Sequence, residues 1–106
     1  NSMANHEVYI ARYYLKRGAF IASSERAKYM LETYPGAPAS EEALKILIES
    51  YNKLRSINLA IETAKVLVTN FSKYTYTIDE NDLVVIKDNS IDSIVEESSF
   101  FDFGLF

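Results

Sequence analysis

The chain has 106 residues, of which 48% are apolar and 25% charged, and it contains eight tyrosines, six phenylalanines and no cysteine. This composition is typical of one globular domain, and it excludes disulfides, thiolate metal sites and cysteine nucleophiles from this sequence. Residues 1–72 carry nine Lys or Arg against seven Glu, whereas residues 73–106 carry two Lys against eight Asp or Glu. A near-neutral body with an acidic tail lacks the clustered cations of a nucleic-acid binder.

The first residues, NSMANHEV, have neither the basic and apolar order of a secretion signal nor a following run of about 18 apolar residues. Met3 behind Asn-Ser resembles a cloning junction. We therefore set residues 1–6 apart as a flanking segment and expect the sequence to be a piece of a longer protein.

Residues 7–36 predict two helices that are separated at Gly18, where glycine can adopt the left-handed conformation that ends many helices. Each helix has an apolar stripe at helical spacing. The stripes are Val8, Ala11, Tyr14 and Leu15 in the first helix, and Phe20, Ser24, Ala27, Met30, Leu31 and Tyr34 in the second. The short link predicts antiparallel neighbours.

Residues 39–72 predict a second pair of helices. Pro35 and Pro38 prevent the preceding helix from continuing, Ser40 is a predicted N-cap, and Glu41 and Glu42 occupy the first turn, where the helix dipole favours negative charge. The stripes are Ala43, Leu44, Leu47, Ile48, Tyr51 and Leu54, then, after a break near Arg55 and Ser56, Ile57, Ala60, Ile61, Ala64, Leu67, Val68 and Phe71.

The second pair copies the first at an offset of 37 residues. The matched residues are Ala11 and Ile48, Tyr14 and Tyr51, Phe20 and Ile57, Ser23 and Ala60, Ala27 and Ala64, Met30 and Leu67, and Tyr34 and Phe71. Helix pairs that recur at this period are the sequence sign of an α-solenoid. An ordinary four-helix bundle, which would also be amphipathic, remains the alternative.

The motifs resemble the tetratricopeptide repeat (TPR): a tyrosine on the first helix, the turn "KRGAF", small residues on the second helix and a closing "YP". The Trp and the Leu-Gly pair of that repeat are missing, and "GAPAS" makes the first unit about three residues longer than the usual 34. A narrower resemblance is to the C-terminal repeats of the BamD family, which share the pattern of residues 11–19, Arg26 and residues 34–44.

The BamD resemblance implies a mostly α fold of two antiparallel TPR-like repeats, 7–36 and 39–72, in a non-catalytic scaffold of Gram-negative bacteria. It also implies a place on the periplasmic side of the outer membrane, through a lipid anchor upstream of this sequence. The implied partners are the POTRA domain of BamA and other assembly subunits, with no cofactor. The alternative is a general TPR adaptor that binds a short extended peptide in its concave groove.

Five residues are predicted to contact a partner: Arg12, Tyr13, Lys16, Arg17 and Arg26. Adjacent helical residues point about 100° apart, so Tyr14, which matches Tyr51, is predicted in the core and Tyr13 on the surface. Arginine is common among interface hot spots, whereas exposed lysines are more often solvated. His6 is the only histidine and has no partner for metal binding or general-base catalysis. The carboxylate pairs Glu41/Glu42 and Glu96/Glu97 are interpreted as helix-start charge or as solvated charge.

Residues 73–106 form an acidic, apolar-rich tail that breaks the repeat. Alternating Tyr and Thr at 74–78, the turn residues DEND and the β-branched run LVVIK predict a β-hairpin. A short helix capped by Ser90, with Ile91, Ile94 and Val95 on one side, is predicted next. We expect the tail to cover an apolar surface at the end of the repeats or to pair with another copy of itself.

Overall fold

A computed structural model describes residues 2–90, which form four helices followed by a two-stranded antiparallel sheet. The elements are α1 Ser2–Lys16, α2 Phe20–Thr33, α3 Ser40–Lys53, α4 Ile57–Asn70, β1 Tyr74–Ile78 and β2 Val84–Asp88. The mostly α class, the four helices and the hairpin at the start of the tail are confirmed. The predicted short helix after Ser90 and the aromatic end lie outside the described residues.

Helix α1 begins five residues before the predicted start at residue 7. The cause is Ala4, which extends the stripe of Val8 and Ala11 by one turn and is fully buried in the same cluster. Helix α3 also differs, because Ser40 is its first helical residue rather than its N-cap. Its backbone N–H already donates to the carbonyl of Ala37 over 2.9 Å, so the turn that precedes α3 closes one residue earlier than predicted.

The 37-residue offset recurs in the backbone. α2 and α4 begin and end 37 residues apart, as do the last residues of α1 and α3. The N–H of Ala19 donates to the carbonyl of Tyr14 over 2.9 Å, and the same bond joins Ser56 to Tyr51 over 2.9 Å. Arg55 takes the left-handed conformation at φ 60, where the first unit has Gly18 at φ 78. The seven residue pairs matched in the sequence also share their degree of burial.

Consecutive helices pack on one another, and α1 also contacts α3. One buried cluster joins α1, α2 and α3, and a second joins α3, α4 and the hairpin. Between α2 and α3 the hydroxyl oxygens of Ser23 and Ser50, both fully buried, lie 2.6 Å apart. Partly buried Leu31 and Tyr51 pack against both clusters.

The hairpin packs against α4 and shares a buried cluster with α3 and α4. That the whole tail covers the end of a repeat array stays a prediction. Tyr74 and Val84 are buried in the second cluster. The side-chain amide of Asn52 on α3 donates to the carbonyl of Val84 over 2.9 Å and accepts its N–H over 3.0 Å. In the DEND turn the Asp79 carboxylate accepts the N–H groups of Asn81 and Leu83, both over 2.9 Å. Pairing of the tail with another copy remains a prediction.

Candidate partner-binding surface

Residues 2–90 contain no group of three or more His, Asp or Glu side chains that could hold a metal ion. His6 is exposed on α1. A cavity of about 150 Å³ lies between the α3–α4 turn and the hairpin turn. Its lining is Asn52, Arg55, Ile57, Asp82 and Leu83. The candidate site is therefore a surface, and the five predicted contact residues are described in turn.

Arg12 and Arg26 both bind carboxylates within the chain. The Nε of Arg12 on α1 donates to Oε2 of Glu42 on α3 over 2.6 Å, and Nη1 of Arg26 on α2 lies 3.0 Å from Oε1 of Glu7 on α1. The arginine side chains remain 36% and 39% exposed, and partly exposed pairs of this kind contribute about 0–1 kcal/mol each. A partner's carboxylate would have to compete with Glu42 or Glu7 for these two guanidinium groups.

Tyr13 and Lys16 lie on the exposed side of α1, and Arg17 is exposed directly after its end. Tyr13 is 49% exposed, and the guanidinium carbon of Arg17 lies 5.5 Å from its ring centroid, within cation–π range. The Tyr13 ring meets the Tyr14 ring edge to face, with centroids 5.7 Å apart. Tyr14 is half-buried, short of the core position that we predicted for it.

Two further cations, Lys53 and Arg55, were missed by the sequence reasoning. Both are exposed, Lys53 as the last residue of α3 and Arg55 in the turn after it. They lie one repeat after Lys16, the last residue of α1, and Gly18 in the turn that follows α1. The 37-residue offset between the two helix pairs indicates both positions, because they match Lys16 and Gly18. We name Lys16, Arg17, Lys53 and Arg55 the basic edge, because each pair lies where the first helix of its unit ends.

Glu41 and Glu42 are at the start of α3, as the helix-start interpretation predicts, and both carboxylates also bind side chains of other elements. Glu42 binds Arg12, and Glu41 accepts the hydroxyl of buried Tyr74 and lies 3.0 Å from Nζ of Lys73. Burial and the bond to Glu41 raise the pKa of the Tyr74 hydroxyl above its ordinary range, and the bond from Tyr74 lowers the pKa of the Glu41 carboxyl. This cluster joins the hairpin to α3.

The sequence model of the family described as "YfiO: Outer membrane lipoprotein" matches residues 1–67, which is α1 to α3 and most of α4. The chain belongs to the YfiO family. The match also includes residues 1–6, which we had set apart as a flank, and it stops before the hairpin. Within residues 2–90 of this YfiO family chain, none of the helices has both the length and the apolar character needed to span a membrane.

The chain is similar to several proteins that are named outer membrane protein assembly factor BamD. The protein of Neisseria gonorrhoeae is 44% identical over 73 residues, which is 69% of this chain and 27% of the relative. That of Pasteurella multocida is 41% identical over 69 residues, 65% of this chain and 26% of the relative. That of Vibrio cholerae is 35% identical over 68 residues, 64% of this chain and 28% of the relative. The chain thus spans about a quarter of the length of the relatives it matches.

Proposed function

We propose that the chain is part of a non-catalytic scaffold for the assembly of outer-membrane β-barrel proteins, in which it docks the POTRA region of BamA. The observation that carries this proposal is the family match over residues 1–67, together with relatives that are named as outer membrane protein assembly factors. The proposed location is the periplasmic side of the outer membrane of a Gram-negative bacterium, through a lipid anchor of the longer protein.

We propose a TPR-like arrangement of the helices, with units at 7–36 and 39–72. Three findings support it: the repeated helix ends, the repeated turn bonds and the contact between α1 and α3. The buried small residues Ala27 and Ala64, at equivalent positions of α2 and α4, allow neighbouring helices to approach closely. Such an array buries side chains along its length and presents its turns in a row, which suits a scaffold.

The basic edge is the proposed contact with the partner. Its four cations make no ion pair with a described residue, and Tyr13 orients Arg17 by cation–π contact. Arg12 and Arg26 are proposed to bind the partner beside the basic edge. Each guanidinium would release its carboxylate within the chain, Glu42 or Glu7, and bind a carboxylate of the partner instead, so that it stays paired. We therefore propose an acidic patch on the POTRA domain as the complementary surface.

Binding of the full chain to a purified BamA POTRA domain, followed by calorimetry, tests this proposal. The double variant Lys16→Glu/Arg17→Glu should weaken binding roughly tenfold or more, because it places like charges at the contact. The control Lys28→Glu/Lys65→Glu makes the same change in net charge at exposed positions of α2 and α4, and it should bind almost as the unchanged chain does. The loss should shrink at high salt.

Two results would contradict the proposal: no measurable binding of the unchanged chain to the POTRA domain, or equal weakening by both double variants. Capture of extended peptides in place of the POTRA domain would favour a general TPR adaptor instead.

A further inference from the structure

Strand β1 has an outer edge that the hairpin leaves unpaired. The N–H of Asp79 donates to the carbonyl of Leu83 over 2.9 Å. Because backbone groups along an antiparallel strand point alternately toward its partner and away from it, those of Tyr76 and Ile78 face away from β2. Among residues 2–90, no hydrogen bond is formed to the N–H or the carbonyl of Tyr76 or Ile78. We name these backbone groups the outer β1 edge.

The opposite edge of the sheet is protected, whereas the outer β1 edge is not. On the β2 side, the side-chain amide of Asn52 binds both outward groups of Val84, over 2.9 and 3.0 Å. Lys87 and Asp88 also place charges on β2, whereas the sequence of β1, YTYTI, contains neither charge nor proline. Natural proteins protect edge strands by such means, because unpaired backbone groups readily bind another strand. The outer β1 edge is therefore suited to strand addition.

We infer that the outer β1 edge binds the same edge of a second copy of this chain, antiparallel and around a two-fold axis. The two hairpins then form one four-stranded sheet with the two β1 strands at its centre. Tyr76 pairs with Ile78 of the second copy, and Thr77 faces its own counterpart on the axis. This inference gives a strand and a register to the self-pairing that the sequence predicts for the tail. It does not depend on the family match, which ends at residue 67.

The backbone favours this register. Tyr76 and Ile78 each use both their N–H and their carbonyl, so that every group of the outer β1 edge is bonded. A register with Tyr76 opposite its own counterpart would instead place Ile78 opposite Tyr74. The N–H of Tyr74 already donates to the carbonyl of Phe71 over 3.1 Å, so the carbonyl of Ile78 would be left unpaired.

The side chains that face the helices favour the same register. Tyr74 and Val84 are buried on this face of the hairpin, and Tyr76 packs against the same cluster. Ile78 is on this face too, because it pairs with Val84, yet it is 47% exposed. Pairing would place the Cβ atoms of Ile78 and the second copy's Tyr76 about 5 Å apart. Each exposed isoleucine would then gain an apolar neighbour.

The charges at the two ends of β1 favour a second copy as the occupant. Lys73 precedes the strand, and the acidic turn DEND, residues 79–82, follows it. In an antiparallel pair the beginning of one β1 lies beside the end of the other, so each lysine approaches the acidic turn of the second copy. A parallel pair would bring the two acidic turns together. Because the paired strands are short, we expect a weak and reversible dimer.

Disulfide trapping in the full chain tests the register, because the chain has no cysteine of its own. Thr77→Cys places two thiols at the axis, in a pair whose Cα atoms are about 4.5 Å apart, which a disulfide can bridge. The matched control Thr75→Cys is exposed on the same face of β1, but its two copies would lie about 14 Å apart. At equal protein concentration, Thr77→Cys should form the linked dimer about tenfold or more faster than Thr75→Cys. Equal rates, or a faster Thr75→Cys, would overturn the inference.

Sedimentation equilibrium measures the same dimer without cysteines. Thr77 is exposed, so Thr77→Lys and Thr77→Glu should both keep the fold. Each variant alone places like charges opposite one another at the axis and should raise the dissociation constant of the dimer about tenfold or more. An equimolar mixture of the two places lysine opposite glutamate and should associate again.

Two results would refute the pairing. One is an unchanged chain that stays monomeric up to about 1 mM, and the other is a mixture that associates no better than the separate variants. BamA takes no part in either readout, so the POTRA proposal is judged by its own test.

Discussion

Removing one hydroxyl group, by Tyr74→Phe, should loosen the hairpin from α3. The Tyr74 ring is 4% exposed, and its hydroxyl donates to the Glu41 carboxylate. A hydrogen bond to a charged group contributes about 1.5–3 kcal/mol. The Glu41 side chain is 28% exposed and keeps Lys73 as a partner, so the lower part of that range applies. We expect the free energy of unfolding to fall by about 1–2 kcal/mol.

Urea denaturation of the full chain measures this loss, with Tyr76→Phe as the matched control. Tyr76 is half-buried on the same strand, and none of the described residues forms a hydrogen bond with its hydroxyl. Phenylalanine should therefore cost little at position 76. A double-mutant cycle with Glu41→Gln should show that the two losses are not additive. Equal losses for Tyr74→Phe and Tyr76→Phe would refute the account of the hairpin anchor.

Two further predictions concern acid stability and the turns. The pKa of Glu41 is held below its ordinary value of 4.5, so its stabilising effect is complete above pH 4.5 and is lost as the pH falls through the folded-state pKa. Between pH 7 and pH 3 the melting temperature should fall less for Glu41→Gln than for the unchanged chain. An equal fall in melting temperature for the two proteins would contradict this. In the turns, Arg55 and Gly18 both have positive φ, which only glycine adopts without steric cost. Arg55→Gly should therefore raise the free energy of unfolding, measured by urea denaturation, by about 1 kcal/mol, and Gly18→Ala should lower it by about the same amount. Destabilisation by Arg55→Gly would show that its side-chain contacts outweigh the backbone strain.

The elements could be predicted because each depends on short-range information. Apolar spacing, Gly18, and Pro35 with Pro38 located four helices, and alternation followed by DEND located the hairpin. The early start of α1 was missed because Ala4 is weakly apolar, and only its burial against other helices shows that it belongs to the core.

The candidate site was harder to predict, because charged residues look alike in a sequence. Arg12 and Arg26 matched the pattern of interface arginines, yet their carboxylate partners are 30 and 19 residues away on other helices. Lys53 and Arg55 could have been found from the repeat.

The sequence by itself determined the helix and strand types, their order and the period of 37 residues, since these follow from local conformational preferences and from regular apolar spacing. Only the tertiary structure decided which charges are paired within the chain, and that the hairpin covers α4. It also decided the burial of four α3 residues whose counterparts on α1, 37 residues earlier, are largely exposed. The buried residues are Ala43, Ile46, Leu47 and Ser50, and their counterparts are His6, Tyr9, Ile10 and Tyr13. The physical reason is that burial and ion pairing depend on neighbours that are distant in the sequence.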